Sequence, residues 1–565
     1  MKSWGIVVAA GLVIALPFIF RRPPPTGAWE DGDPVLVVIS PHNEAIRYEF
    51  ARGFSAWRQR QGKSAVKVDW RIVGGTSEIS KYLNAELLAS FKFWWQREGN
   101  DWPRGGTREL TNRRFSPEGK DPDLVAAREA LLSHDDPDAF GTGLDLFFGG
   151  GVYDHSKAAR EGLTVAPWPN GIPEDLVRSE SGTLIFPEGM SGEEWRSPMF
   201  IGTALSTFGI VSNLDRLEDV GVSNPPTAWE NLANPAYFRE LGVSDPTKSG
   251  SISKAFEMLI HQQIHQQLVE NGFSPSRILE LEKDPEAAPK AYHEAISLGW
   301  VRGLNLVRRI GANARYFTDS ASKVPIDVSM GNATVGIAID FYGRYQAETS
   351  RGPDGMERMI YTTPVGGSSV SADPVSVLRG APNRELAVEF IEYVISEEGQ
   401  KLWNYRPGTE GGPEKFALRR LPIRRDFYPS DDPEIQAAYE SHAPFTSDPL
   451  GDDSVNPYYL ASRFQYIPRW TARRFGIHRY LIRAMAMDAA EELTAAWVAI
   501  QEAGGPEAVP DAMEALLAFP PGLSWETALD PEYASENQMT FMRNWILFFR
   551  AQYEMAKNLA ENSDA

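Results

Sequence analysis

The sequence predicts an α/β fold built on largely parallel sheets. Three observations predict it. Short apolar runs of strand type alternate with amphipathic helical runs over residues 34–95. Several strand-type runs end directly in turns rich in Ser, Gly and Thr ("SPHN", "GGT", "GGG"), where open α/β sheets present their ligand loops. The chain has 565 residues, 42% of them hydrophobic, with 16 Trp. That is enough for several well-filled domains.

The elements follow in order. Lys2 precedes the uncharged run "GIVVAAGLVIALPFIF" (5–20), which ends in Arg21, Arg22 and three prolines. The run is long for a signal core and short for a full span. Residues 1–33 therefore read as a secretory signal or membrane anchor plus linker, which puts the rest in a periplasmic or other extracytoplasmic setting. "PVLVVIS" (34–40) reads as a strand buried on both faces. Ile46, Phe50, Phe54 and Trp57 then recur at helical spacing. "AVKVDWRIV" (65–73) is a second strand, and "GGTSEISKYLNAELLASFKFWW" (74–95) a loop opening a helix. "LDLFFGGG" (144–151), "STFGIVSN" (206–213) and "ATVGIAIDF" (333–341) supply three further strands, and "AVEFIEYVISEEGQKLW" (387–403) one amphipathic helix. The polar stretches 96–140 and 168–197 read as insertions. From 431 to 565 the chain becomes a helical extension, basic over Arg463–Arg483 and closed by a helix at 539–562.

Charge and composition exclude some functions. A formal net charge of −20 argues against nucleic acid, whose backbone needs a basic surface. The absence of Cys removes disulfides, thiolate nucleophiles and Cys-ligated metals. No HExxH or GxSxG motif is present, so no catalytic constellation emerges.

The candidate binding residues cluster in turns. Asp245-Pro246 stops any preceding helix, and Thr247, Lys248, Ser249, Gly250 and Ser251 then open the run "ISKAFEMLIHQQIHQQL". Free backbone N–H groups and the positive end of the dipole make such a start an anion site. An ordinary N-cap is the simpler reading of the same residues. Ser40, His42 and Asn43 follow the first strand, Gly75 and Thr76 the second, and Gly149, Gly150 and Gly151 the third. Asp340, Tyr342 and Arg344 alternate as at a strand end, the Arg serving as an oxyanion fork or pairing with a nearby acid. His261 and His265, spaced i, i+4, either share a metal or belong to a helix face; no third ligand is evident.

"VVISPHNEAIRYEFARGF", "DLFFGGG", "ALSTFGIVSNLDRLEDVGVSNPPTAWENLANPAYF", "SDPTKSGSISKAFEML", "ARYFTDSASKVPIDVSMGNATVGIAIDFYGR" and "AVEFIEYVISEEGQKLW" resemble, in order and spacing, the extracellular solute-binding proteins of ABC importers. The likeness is to the ferric-ion and sugar-phosphate branch of the type II periplasmic-binding-protein fold and covers residues 34–430. The resemblance implies two hinge-linked lobes, 34–203 with 368–430 and 208–362, with Ser206 and Thr207 at the first crossing and a solute held between them. It implies no cofactor, an ABC permease as partner, and no enzyme activity. Ferric-binding relatives use a His, a Glu and a Tyr pair. Here His42 and Tyr342 match, but Gly150 and Phe341 stand where the Glu and the other Tyr would be. Ferric iron needs anionic oxygen ligands, so the expected solute is a phosphate ester or other oxyanion, with iron through His42 and Tyr342 the weaker alternative. A membrane-tethered sensor or scaffold of the same fold is a further alternative, and a phosphoryl-substrate enzyme the most remote. The basic stretch Arg463–Arg483 either meets an anionic surface or packs on the first lobe.

Overall fold

The computed structural model describes residues 27–533 and 537–563. The apolar run at 5–20 lies outside the described residues. In chain order the main strands are β1 (Val35–Ile39), β2 (Lys67–Arg71), β3 (Leu146–Phe148), β4 (Phe200–Ser206), β5 (Phe208–Asn213), β6 (Leu241–Ser244), β7 (Ala314–Thr318), β8 (Val335–Ile339), β9 (Met359–Thr362), β10 (Ser371–Leu378) and β11 (Leu421–Pro422). The principal helices are α1 (Glu44–Arg60), α2 (Thr76–Arg97), α3 (Val152–Glu161), α4 (Gly250–Glu270), α5 (Lys290–Asn313), α6 (Asp340–Thr349), α7 (Arg384–Ile395) and α8 (Glu397–Asn404). They continue with α9 (Phe475–Ala486), α10 (Ala490–Glu502), α11 (Pro510–Leu517) and α12 (Gln538–Glu561).

Two main sheets form, beside a two-stranded hairpin at residues 189–194, giving the two-lobed α/β architecture the sequence predicts. The first runs β11-β4-β10-β3-β1-β2, and the second β7-β6-β8-β5-β9. In each, three strands lie parallel in the order second-first-third, and the next strand is antiparallel. That antiparallel strand is β10 in lobe one, reached as the chain returns, and β5 in lobe two, where the chain enters. The chain crosses between Ser206 and Phe208 and comes back between Thr362 and Ser371. Every residue of β4 and β5 is buried, as continuous apolar strands should be.

Local chemistry sets the helix starts. Asn43 Oδ1 accepts Ile46 N–H at 3.1 Å, capping α1, whose buried face includes Ile46, Phe50 and Phe54. The apolar pattern over 387–403 predicts one helix, and the structure has two. Ser396 is extended, and its Oγ accepts Gly399 N–H at 3.2 Å. A capping Ser thus begins α8 where periodicity alone continues α7.

The segment 96–140 is not a polar excursion. Leu110, Leu124, Ala127 and Leu131 share a core with Ile79, Leu83, Leu87 and Phe91 of α2. The extension also differs from expectation. Tyr458, Leu460 and Ala461 join the core of lobe one, but from Phe464 onward the side chains join lobe two. There Trp470, Leu481, Trp497, Phe549 and Tyr553 form one core with Trp300, Leu304 and Ile310 of α5. Arg308, fully buried on α5, donates to the carbonyls of Leu516 and Ala518 and lies 5.0 Å from the Phe519 and Phe549 ring centres. Four of the six Arg in the basic stretch are therefore engaged by this half of the molecule, while Arg463 and Arg473 stay exposed. Arg469 pairs with Glu282, Arg474 lies over Trp525, and Arg479 and Arg483 grip the turn before α4. Lobe two, not lobe one, receives these helices. Among the described residues, no helix is long and apolar enough to cross a membrane.

Candidate functional site

The start of α4 is shaped by a short-range network. Asp245 Oδ1 accepts Thr247 N–H at 2.7 Å and Thr247 Oγ1–H at 2.6 Å, while the Asp245 carbonyl accepts the amides of Lys248 and Ser249. Ser249 is a true N-cap: its Oγ accepts Ile252 N–H at 3.3 Å, and the residue is buried. Ser253 Oγ donates to the Pro246 carbonyl at 2.5 Å and the Ser249 carbonyl at 3.0 Å. Among the described residues, the amides of Gly250 and Ser251 meet no protein acceptor. The extension braces the same turn. Arg479 Nε donates to the Pro246 carbonyl at 2.7 Å and its other arm to the Thr247 carbonyl, while Arg483 pairs with Asp245 Oδ2 at 2.9 Å and reaches Thr247 Oγ1 at 3.2 Å. Lys248 is exposed. The two amides without acceptors thus open a helix whose preceding turn is gripped by two guanidinium groups, and the helix start itself favours negative oxygen.

Lobe one faces this turn with Thr76. A Cβ on Gly250 would lie 3.9 Å from Thr76 Oγ1, so the two loops meet across the junction. Gly75 caps α2 and puts Thr76 at its first position. Gly149 and Gly150 have φ of +98° and +108°, the region that favours glycine. A Cβ on Gly149 would fall 2.6 Å from His42 Nε2, and one on Gly150 2.7 Å from Thr76 Cγ2. These glycines let the third strand's turn nest against the first two. The Gly149 amide donates to the Pro374 carbonyl at 2.8 Å. The Gly149 carbonyl accepts His155 Nε2–H at 3.1 Å, which leaves His155 Nδ1 to accept from Ser376 Oγ at 2.7 Å. Burial pulls His155 down to about 4, so it stays neutral. Gly151 caps α3, and its amide donates to Asp154 Oδ2 at 3.3 Å; burial raises that carboxyl.

The floor of the junction is a buried polar network. Ser40 Oγ accepts His42 N–H at 3.1 Å, and His42 Nε2 lies 3.0 Å from Asp373 Oδ2. Arg420 donates to Asp373 and, at 2.7 Å, to Ser206 Oγ. Burial alone would raise the Asp373 carboxyl, but Arg420 and His42 hold it well below the usual range. The Arg420 guanidinium reaches across to lobe two and lies 4.4 Å from the Phe341 ring centre. Thr207 Oγ1 lies 2.9 Å from Thr363 Oγ1, tying the two crossings, and its carbonyl accepts from Tyr361 OH and the Asp340 amide. Asp340 is fully buried. Desolvation pushes its carboxyl up to about 6 against the pull of Arg344 and Arg420, and its Oδ2 has no partner among the described residues.

Several sequence expectations change here. Asp340, Tyr342 and Arg344 do not alternate along a strand: β8 stops at Ile339 and Asp340 begins α6. One turn of helix therefore separates Asp340 from Arg344, and Arg344 pairs with buried Asp448 at 3.0 Å beside Arg419. It is an ion-pair residue. Tyr342 is half-buried, and desolvation raises its hydroxyl. Asn43 is committed to capping α1. His261 Nε2 accepts the Ile467 amide at 2.9 Å, which removes the shared-metal reading with His265. Asp373 and Arg420, the centre of the floor, carry no sequence signal beyond the Arg-rich run "LRRLPIRRDF" (418–427). A cavity of about 520 Å³ adjoins the α4 turn, but Asp245, Lys248, Tyr316, Lys323 and Arg483 are among its walls and no lobe-one residue is.

Residues 185–409 match the family model described as bacterial extracellular solute-binding protein. The match spans the sheet-one strand β4, both crossings, all of sheet two and the return through β10, α7 and α8. An uncharacterized protein of Haemophilus influenzae (strain ATCC 51907 / DSM 11121 / KW20 / Rd) is 23% identical over 258 residues, 46% of this chain and 60% of that protein's length. Among solved structures, the periplasmic binding protein AfuA from Actinobacillus pleuropneumoniae, with exogenous fructose-6-phosphate bound, is 17% identical. It aligns over 65% of this chain and 80% of its own, with a TM-score of 0.40. Apo ferric ion-binding protein A from Pasteurella haemolytica is 12% identical over 79% of this chain and 95% of its own, TM-score 0.42. Iron-bound HitA from Pseudomonas aeruginosa is 14% identical over 80% and 99%, TM-score 0.41.

Proposed function

We propose that the chain is the substrate-binding component of an ABC-type importer. It captures a small anionic solute, a phosphate ester or other oxyanion, between lobes 34–203 with 368–430 and 208–362, and hands it to permease subunits outside the cytoplasmic membrane. The segment 1–33 directs or tethers it there. The observation that carries this reading is the meeting of strand-end loops from two like-ordered sheets, Thr76 against Gly250 and Arg420 against Phe341. The family match over 185–409 supports it.

In this reading the free amides of Gly250 and Ser251 take the anionic oxygens, with Thr76 and Ser251 hydroxyls beside them and Arg479 supplying positive charge. Each such hydrogen bond to a charged oxygen contributes about 1.5–3 kcal/mol. The lobes touch at both places, so a solute enters only when they part and is enclosed when they close. Iron fits poorly: the Arg420 cation lies beside His42 and acts on the Tyr342 hydroxyl, and a cation would be repelled there. The test is calorimetry of inorganic phosphate and a panel of sugar phosphates against the wild type and Ser249→Asp. Asp keeps the N-cap but brings a negative charge to the amides. Binding that survives the substitution unchanged removes this assignment.

A further inference from the structure

We propose that residues 462–467 are a strap, a third connection between the lobes that latches the cleft shut. An inter-lobe hinge made of two crossing segments bends at a few backbone positions. Here the chain passes between lobes once more. Ala461 is buried in the core of lobe one, and Phe464, Tyr466 and Ile467 are buried in that of lobe two. The strap is bonded to both sides on the way. The Tyr466 amide donates to the Ser191 carbonyl of lobe one at 2.8 Å, and Tyr466 OH donates to Glu257 of α4 at 2.7 Å.

An ion cluster lies under the strap and joins four parts of the molecule. Lys254 of α4 reaches Glu193 of lobe one at 3.2 Å and Glu257 at 3.3 Å, and its ammonium lies 3.9 Å from the Tyr466 ring centre. Ser369, on the returning crossing, donates to Glu193 at 2.6 Å, and Thr471 donates to Glu257 at 2.8 Å. Glu193 and Glu257 are buried. Parting the lobes therefore breaks the Lys254–Glu193 pair and the Tyr466–Ser191 bond together. Beyond the strap, Tyr153 of α3 meets Phe475 of α9 at 5.9 Å between ring centres, so the chain touches lobe one again after it has joined lobe two. The strap restrains the hinge whether or not the cleft takes a solute.

The chain has no Cys, so two engineered thiols label cleanly. Nitroxides on Glu86→Cys of α2 and Ile326→Cys of lobe two, both exposed positions, report the inter-lobe distance by pulsed electron resonance. The solute-free chain gives one narrow distribution. Glu193→Gln and Glu257→Gln with Lys254→Met, which removes the buried ammonium together with both carboxylates it pairs with and so leaves no unpaired charge in the cluster, shifts and broadens it to longer distances. So does a short Gly-Ser insertion between Ser462 and Arg463, which slackens the strap. A broad distribution in the unaltered chain, or a narrow one kept by the side-chain variant with its melting transition intact, overturns the proposal; if the insertion variant does not fold, the side-chain variant decides alone. Calorimetry on the same samples separates the two ideas: lost solute binding with a narrow distribution counts against the transport reading and leaves the strap standing.

Discussion

Replacing Asp340 by Asn relieves a cost at neutral pH. The carboxyl titrates at 3.8 in the unfolded chain and is pushed up to about 6 in the fold, chiefly by burial. At about 1.4 kcal/mol per unit, a shift of roughly two units corresponds to about 3 kcal/mol. The folded state holds the proton more tightly than the unfolded state does. The favourable contribution of the protonated group is therefore complete below pH 3.8 and is lost as pH rises through about 6. Asn keeps the Oδ1 acceptor that Asp340 offers to the Phe341 amide at 2.7 Å and carries no charge. Asp340→Asn should thus stabilise the protein by up to about 3 kcal/mol at pH 7.5 and by only a few tenths at pH 3.5. Thermal melts of both proteins across this range measure the difference. A stability gap that stays flat between pH 4 and 7, or a variant that is less stable at pH 7.5, refutes the desolvated-carboxylate account.

Other expectations follow from the same geometry. Gly149→Ala places a Cβ 2.6 Å from His42 at a φ of +98°; with His42 held by Asp373, the loss should be about 2–4 kcal/mol in denaturant unfolding. Truncation after Ser462 strips Trp470, Leu481, Trp497 and Phe549 from the core of lobe two and exposes Arg308, so the shortened chain should be insoluble or bind hydrophobic dyes strongly; a soluble, cooperatively melting product would contradict a shared core. Ferric citrate should give no Tyr-to-iron absorbance band, because Arg420 stands beside both His42 and Tyr342; a visible band would restore the iron reading.

The elements that the sequence makes legible are those whose chemistry is local. "SPHN", "GGT" and "SGS" each sit at a helix start, and Asn43, Gly75 and Ser249 cap those helices through nearest neighbours. The strand at 35–39 and the helix at 44–60 follow from hydrophobic period alone. What stays hidden depends on distant partners. His42 and Asp373 are 331 positions apart, and Lys254 meets Glu193 only because two lobes and a strap converge. The run Asp340–Arg344 reads as alternation because Phe341 and Gly343 happen to separate polar residues; the helix turns Arg344 away toward Asp448. The basic stretch 463–483 has the composition of a charged surface, yet carbonyls and buried acids of lobe two take up most of its guanidiniums. Periodicity and charge counts cannot distinguish these two fates.

The most direct test of the account is a native mass spectrum of the freshly purified protein beside its Ser249→Asp variant. A small anionic solute carried through purification by the wild type, and missing from a folded variant, is the outcome the two-lobed capture site requires. An adduct that both proteins hold equally, or phosphate esters that fail to bind the wild type at any concentration in follow-up titration, would contradict it.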